Sequence, residues 1–330
     1  MNLELLNRFK DKNILVIGDY CIDKFCYGEP KGVSPEAPIL RIVGNKDTVK
    51  INPGMAGNII TGVRALGAKC YAVGVIGRDE ASRNLIRIFN ERGINTKGMI
   101  SRDYRVTPEF TRIVAGGKKY PEQQKIRFDI ENEKPISESV VQDMTSFMQG
   151  SKKEIDAIIV ADYNEFGEGI IGKDLLESIR KIAKEEDTIL IGDSRLGFCN
   201  FKDFTCIKPN LCEAEQLYNG KSGSLEELAW RITQTLNLKS ILITKDKDGM
   251  YLFTRSGIKK DFPAYAKKLV DVTGAGDSVT SAFTLALASD FSYQDSAQLA
   301  SYAAAIAVSK SGVDVVTLDE LKQFALENEK

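Results

Sequence analysis

Short runs of consecutive apolar residues alternate along this chain with stretches whose apolar positions return every three or four residues. The runs at 13–18, 70–76, 156–161, 188–192, 205–208 and 240–244 read as strands buried on both faces. Between them, the stretches at 56–66, 81–92, 171–185, 211–218 and 225–236 read as amphipathic helices. Such alternation predicts an α/β fold in which a mainly parallel central sheet is flanked by helices. The C-terminal third adds a strand pair around 249–254, a glycine-rich turn and two helices rich in Ala and Ser.

Two segments break this rhythm, at about 20–51 and 104–130. They carry alternating stretches such as Ile39-Leu40-Arg41-Ile42-Val43 and Lys125-Ile126-Arg127-Phe128-Asp129-Ile130, with no helical period. Both predict antiparallel strands outside the main sheet, either as surface hairpins or as a small β lid. A lid suits a transfer reaction that must exclude water. One domain covering 1–330 accommodates the sheet and the lid together.

Charge narrows the function. Lys and Arg number 45 against 46 Asp and Glu with no long single-sign run, so a nucleic-acid groove is not expected. No apolar stretch reaches membrane-spanning length, and Glu4, Arg8, Lys10, Asp11 and Lys12 give the N-terminus the wrong character for a signal peptide. A cytoplasmic protein without membrane contact is the expectation. The six cysteines form no C-x-x-C pair and read as reduced thiols rather than zinc ligands or disulfides. There is no histidine, which removes Ser-His and Cys-His nucleophiles and H-E-x-x-H zinc sites. Acid and base work falls to Asp, Glu, Lys, Tyr or Cys.

The strongest chemical signal is Asp271-Val272-Thr273-Gly274-Ala275-Gly276-Asp277-Ser278, a glycine turn running into a helix of small residues. Free backbone N–H groups at a helix N-terminus there can hold an anion such as phosphate. Asp277 beside that anion is placed to deprotonate a hydroxyl as a phosphoryl group moves onto it. An ordinary turn with an Asp cap is the alternative. The helix N-terminus is expected to depress the pKa of Asp277 and make it a weak base, tolerable where positioning outweighs basicity.

Other features bear on the same chemistry. Asn210-Leu211-Cys212-Glu213 sets an amide and a carboxylate on one helical face, able to hold hydrated Mg²⁺ near a triphosphate, or simply to cap the helix. Thr244-Lys245-Asp246-Lys247-Asp248-Gly249 is a loop at a strand's C-terminal end, where α/β sheets bind ligands. Gly220-Lys221-Ser222 imitates a P-loop but has Glu215 where the loop needs Gly. Gly167-Glu168-Gly169-Ile170-Ile171-Gly172, with Asp193 further on, fits a dinucleotide fingerprint only loosely. An NAD-dependent oxidoreductase and a catalytically silent sugar-binding protein are therefore kept as alternatives to a sugar kinase.

Taken with Ile17-Gly18-Asp19, Asp23 and Pro53-Gly54-Met55-Ala56-Gly57-Asn58, these motifs make the chain resemble the ribokinase-like (PfkB) family of carbohydrate kinases along nearly its whole length. Tyr27-Gly28, Val33-Ser34-Pro35-Glu36-Ala37-Pro38, Gln123-Gln124-Lys125-Ile126-Arg127-Phe128-Asp129 and Asp162-Tyr163 bring it nearest to the kinases that phosphorylate the anomeric hydroxyl of D-glycero-β-D-manno-heptose 7-phosphate. The resemblance implies ATP and Mg²⁺ as cofactors, a sugar or sugar phosphate as substrate and a homodimer paired through the β lids. It makes Asp277 the base, with the N–H groups of Ala275, Gly276 and Asp277, in the turn opened by Gly274, stabilising the transferred phosphoryl. Asn210, Glu213, Thr244, Lys245 and Gly249 would serve the nucleotide, with Glu213 reaching Mg²⁺ through water. Asp19, Asp23, Gly54, Asn58, Arg127 and Asp129 would serve the substrate, Arg127 as a bidentate phosphate ligand. Asp271 and Thr273 match positions that hold a monovalent cation such as K⁺ in some relatives, or they stabilise a buried turn.

The chain also departs from the family's pattern. Gly54-Met55 replaces paired glycines, narrowing the space near the sugar. Asp162-Tyr163-Asn164-Glu165-Phe166-Gly167 lacks the lysine of Asp-Tyr-x-Lys-Gly, and Asp193-Ser194-Arg195 stands for Asp-Pro-Lys. Some heptose kinases are fused to a nucleotidyltransferase whose signature uses histidines, and that activity is not expected in this chain.

Overall fold

Residue 18 marks the first decision of the backbone. The computed structural model describes residues 1–117, 120–163, 168–218, 223–266, 269–310 and 314–329. The chain enters on β1 (Asn13–Gly18), leaves through β2 (Tyr20–Val33), β3 (Leu40–Val43) and β4 (Val49–Met55), and returns by α1 (Ala56–Ala65), β5 (Lys69–Ile76), α2 (Glu80–Glu91) and β6 (Asn95–Ser101). A second excursion forms β7 (Glu109–Gly117) and β8 (Tyr120–Ile130). After α3 (Glu138–Ser151) come β9 (Ala157–Asp162), α4 (Lys173–Glu185), β10 (Ile189–Ser194), β11 (Cys206–Ile207), α5 (Leu211–Leu217) and α6 (Leu225–Thr235). The C-terminal part holds β12 (Ser240–Thr244), β13 (Met250–Thr254), β14 (Lys259–Phe262), α7 (Ala275–Ala288), α8 (Tyr293–Ala307) and α9 (Leu318–Asn328).

Nine strands form the main sheet in the order β14-β13-β12-β11-β10-β9-β1-β5-β6. All neighbours pair in parallel except the antiparallel β12–β13 and β13–β14 contacts. Both faces are covered, and β1 displays why. Its Ile14 and Val16 join one apolar layer with residues of α1, α7 and α8, while Leu15 and Ile17 join the opposite layer with residues of α3 and α4. All four side chains are at most 1% exposed, and each contributes roughly 1.5–3 kcal/mol of apolar burial. That is why these strands read as continuous apolar runs rather than alternating ones.

The two rhythm-breaking segments build a second, five-stranded sheet. Its order is β3-β2-β7-β8, with β4 also paired to β2, and it extends to Met55, beyond the expected boundary at 51; its pairs are antiparallel as expected except β2–β7, which is parallel because the two strands come from separate excursions of the chain. Val33, Ile39, Ile126 and Phe128 of these segments are each more than 60% exposed. Elements without an expected counterpart are β6, α3 and α9. Among the described residues, no helix is long and apolar enough to cross a membrane.

Chain order positions the site. From β1 the chain works outward through β5 and β6, then crosses back to β9 on the other side of β1. Ligands of open α/β sheets bind at such a switch point, beyond the carboxyl ends of the strands. Asp19 follows β1, Tyr163 follows β9, Asp193 lies near the end of β10, Lys208 follows β11 and Thr244 ends β12. All five therefore stand along one edge of the sheet.

Candidate active site

Asp277 sits in the first turn of α7, and Gly274 makes that turn possible. Gly274 is the N-cap at φ 78°, a left-handed conformation that costs glycine nothing, and it offers no side-chain acceptor to the helix. First-turn N–H groups have no acceptor inside a helix, so those of Gly276 and Asp277 face outward. The N–H of Ala275 instead turns back to the Val272 carbonyl at 3.3 Å.

The Asp277 carboxylate is surrounded by charge from other elements. Tyr163 donates its hydroxyl to Asp277 Oδ1 at 3.1 Å. Arg195 lies over the Tyr163 ring, 5.7 Å from its centroid, and reaches Glu213 at 3.6 Å. Burial pushes the Asp277 carboxyl up to about 6 and the charge of Asp193 adds to it, while Lys208, Tyr163 and Arg195 act in the opposite sense. The direction is the reverse of the depression expected from the helix N-terminus. Loss of hydration around the carboxylate outweighs the helix dipole here.

At the positions expected to serve the nucleotide, Asn210 and Glu213 form a reciprocal capping box at the start of α5. Glu213 N–H donates to Asn210 Oδ1, and Asn210 N–H to Glu213 Oε2, both at 2.8 Å. The capping alternative is thus realised, with Glu213 Oε1 directed to Arg195. Thr244 bridges to this segment through its N–H to the Pro209 carbonyl at 3.0 Å. Gly249 has φ 83°, and a Cβ there would collide with the Phe262 carbonyl oxygen, so only glycine fits. Lys245 turns its ammonium onto Asp261.

Among the positions expected to serve the substrate, Asp19 is 8% exposed and Oδ1 accepts the Ile170 N–H at 3.0 Å, while Oδ2 is buried without a hydrogen-bond partner among the described residues. Burial, reinforced by the charge of Asp162, pushes this carboxyl up to about 7. Asp23, two residues into β2 from Cys21, is ion-paired with Arg112 of β7. A Cβ on Gly54 would lie 2.5 Å from Asp23 Oδ2, so that position must stay bare. Met55 next to it holds φ 55°, left-handed backbone that non-glycine residues avoid, and its side chain lines a depression with Asp19, Arg105, Phe110, Asn132 and Glu168. Asn58 lies in the first turn of α1.

Arg127 pairs with Asp129 at 2.8 Å and stacks 4.4 Å from the Phe110 ring centroid on the small sheet. Asp271 Oδ1 accepts the N–H of Thr273 at 2.9 Å in a turn that is not buried, contrary to the buried turn weighed from sequence. Residues 164–167, with Glu165 and the first glycine of the dinucleotide-like run, and 219–222, with the P-loop imitation, lie outside the described residues. What is described speaks against the dinucleotide fingerprint. β9 ends at Asp162 while α4 starts only at Lys173, and Asp193 is buried against Lys208 rather than open to a ribose.

Sequence reasoning gave no role in phosphoryl transfer to four residues that the structure brings to the site. Arg105 is 5% exposed and donates to the carbonyls of Lys134 and Glu168, the latter at 2.8 Å. Tyr163 holds Asp277. Asp193 and Lys208 are ion-paired at 3.2 Å, and Thr280 of α7 donates to Asp193 Oδ2 at 2.5 Å. The available signal was position alone: a polar residue ending an apolar strand run, as at Tyr163, Asp193 and Lys208.

The chain is similar to several known proteins. The bifunctional protein HldE of Desulfatibacillum aliphaticivorans is 36% identical over 318 residues, 95% of this chain and 63% of that protein. The bifunctional protein HldE of Geobacter metallireducens is 32% identical over 316 residues, 94% of this chain and 62% of its own length. The chain therefore spans less than two thirds of these relatives. Among solved structures, a ribokinase from Thermotoga maritima superposes with a TM-score of 0.71 at 23% identity, covering 96% of this chain and 100% of that one. Phosphofructokinase-2 from Escherichia coli, in complex with substrates and products, gives 0.77 at 16% identity, covering 96% and 100%. Both share the ribokinase-like fold. The profile of the pfkB family carbohydrate kinases matches residues 12–320, and the chain belongs to that family, a phosphotransferase acting on a sugar hydroxyl.

Proposed function

We propose that the chain moves the γ-phosphoryl group of ATP onto the anomeric hydroxyl of D-glycero-β-D-manno-heptose 7-phosphate. The observation that carries the transfer step is the Asp277 carboxylate in the open first turn of α7. Tyr163 occupies Oδ1, which leaves Oδ2 to take the hydroxyl proton. The sugar oxygen bonds to the γ-phosphorus as the bond from that phosphorus to the β–γ bridging oxygen breaks. ADP departs and the proton remains on Asp277. The N–H groups of Gly276 and Asp277 face the phosphoryl oxygens, where their fixed direction lowers the barrier without reorganisation.

Asn210 and Glu213 fit hydrated Mg²⁺ better than a bare ion. One carboxylate already half-committed to a capping box leaves few protein ligands, and Mg²⁺ ordinarily completes its shell with water and phosphates. When bound, the ion would neutralise phosphate charge. The heptose assignment draws support from the segments at 33–38 and 123–129 and from the identity to the HldE proteins over nearly the whole chain. Another sugar phosphate is the second reading, favoured by Met55, whose side chain lines the depression beside Asp19 from a left-handed backbone position. A second copy of the chain, packed lid to lid, would cover the exposed Val33, Ile39, Ile126 and Phe128.

An ADP-release screen across heptoses, hexoses and pentoses, each with and without a phosphate, tests this function. Heptose 7-phosphate is expected to give the highest kcat/KM, and Asp277→Asn to bind sugar while losing most turnover. Preference for an unphosphorylated sugar overturns the substrate, and near-normal kcat in Asp277→Asn overturns the base.

A further inference from the structure

Two carboxylates bear on the same groups at the first turn of α7: Tyr163 faces both Asp277 and Asp193, and Thr280, one turn beyond Asp277, ties Asp193 to the helix, an arrangement that is unfavourable unless a cation stands beside them. Lys208 is that cation. Its ammonium lies 3.2 Å from Asp193 Oδ2, and the two side chains are only 10% and 4% exposed. Its backbone is pinned as well, with the N–H donating to the Gly192 carbonyl at 3.0 Å. A Cβ built on Gly276 would lie 3.5 Å from Lys208 Nζ, which puts the ammonium directly against the turn that carries Asp277. Thr280, three residues beyond Asp277 on the same helical face, donates to Asp193 Oδ2 at 2.5 Å and to the Gly276 carbonyl at 3.1 Å. Asp193 is thus tied to both Lys208 and α7.

We propose that Lys208 is a positioning residue for the base: clamped by Asp193, it supplies the positive charge that lets Asp277 and Asp193 stand side by side as carboxylates. The inference rests on the reading of Asp277 as the base. Among the described residues, the charged and titratable groups that act on Asp277 come from other elements: Asp193 at the end of β10, Arg195 just after it, Tyr163 after β9 and Lys208 after β11. Arg195 is partly diverted to Glu213 and to the Tyr163 ring, and it is 53% exposed, so its charge is well screened. Lys208 is the cation of the pair that is shielded from water, and its charge reaches Glu213 too. A purely structural lysine would neutralise Asp193 and leave the titration of Asp277 alone.

The test is the acid limb of kcat/KM, read with the same substrates for every variant so that substrate ionisation cancels. In parallel, the Asp277 carboxyl is titrated by NMR of protein carrying ¹³C-labelled aspartate, its resonance assigned as the one missing from Asp277→Asn. Lys208→Met is expected to move both upward by about one pH unit, the usual size for loss of a close opposite charge. Lys208→Arg, which keeps the charge, is expected to stay within about a third of that shift. Should Lys208→Met fail to fold, the comparison is made in the Asp193→Asn background. There the single variant titrates below the wild type, and adding Lys208→Met brings Asp277 back up by about one unit. An Asp277 titration that ignores Lys208 in both backgrounds overturns the inference, even if stability changes. If instead Asp277→Asn keeps its kcat, the reading of the base fails and the positioning role fails with it. Loss of turnover in Asp277→Asn with an unmoved titration in the Lys208 variants sinks the positioning role alone.

Discussion

Replacing Asp19 with asparagine should make the protein more stable and remove its grip on the sugar. The carboxyl is 8% exposed, Oδ1 is committed to the Ile170 N–H, and Oδ2 is buried without a hydrogen-bond partner among the described residues. Burial and the neighbouring Asp162 push it from 3.8 up to about 7. Between these two values the unfolded chain has released the proton and the folded chain still holds it, so folding is progressively penalised as the pH rises. The penalty is absent below about 4 and complete above about 7. A shift of about three units corresponds to about 4 kcal/mol, an upper bound because the denatured chain is not fully solvated.

An asparagine in place of Asp19 keeps an acceptor for the Ile170 N–H and carries no charge at any pH, so the penalty disappears in the variant. Urea denaturation of the two proteins at a series of pH values from about 4 to about 8 gives the check. Asp19→Asn is expected to match the wild type near pH 4 and to exceed it by about 2–4 kcal/mol at pH 8. Parallel pH profiles for the two proteins would refute the argument, since the difference must grow through the titration of this group. Affinity for the sugar, measured by calorimetry, should fall in the same variant. A destabilising residue retained at a binding site is what a trade between stability and function produces.

Met55 gives a second opposition of terms. Its φ of 55° costs about 1–3 kcal/mol for a side chain bearing a Cβ, so Met55→Gly relieves strain while Met55→Ala keeps it. Chemical denaturation should rank Gly above Ala by about 1–2 kcal/mol, the reverse of the usual order, and the Gly variant should accept bulkier sugars with a lower KM. Light scattering tests the lid-to-lid pairing: wild type is expected as a dimer, and Phe128→Glu with Ile126→Lys as a monomer, because charge on a buried apolar face is costly. A monomeric wild type would remove that pairing.

Legibility followed the range of the signal. The strands of the main sheet declared themselves because burial on both faces leaves only apolar residues, as in 13–18 and 240–244. The small sheet was legible from the alternation of apolar and polar residues in 39–43 and 125–130, although in β8 both sets of side chains are exposed. The α9 helix went unread despite a capping box of Thr317 with Glu320, since its apolar face is short and buries only Leu321 and Ala325. In α3 the buried Val140, Met144 and Met148 keep a four-residue spacing, but the polar Gln142, Asp143, Thr145 and Ser146 between them dilute it. Asp277 could be found from its own eight residues. Lys208, Asp193 and Arg105 could not, because each acquires its meaning from partners on other elements.

The sign of the Asp277 shift shows what such distance conceals. A helix N-terminus is visible in the sequence and favours a carboxylate by about 0.3–1 kcal/mol, under one pKa unit. Burial and Asp193 act against it and carry the group from 3.8 to about 6, roughly two units the other way. The non-local effect wins by its size, and it also improves the chemistry. In the role proposed for Asp277, a carboxyl near 6 would remain ionised at neutral pH yet take a proton more readily than one below 4. Tyr163, Arg195 and Lys208 hold it from rising further. The reactivity of Asp277 is therefore a property of five residues that fold together, with the glycine turn supplying only its place.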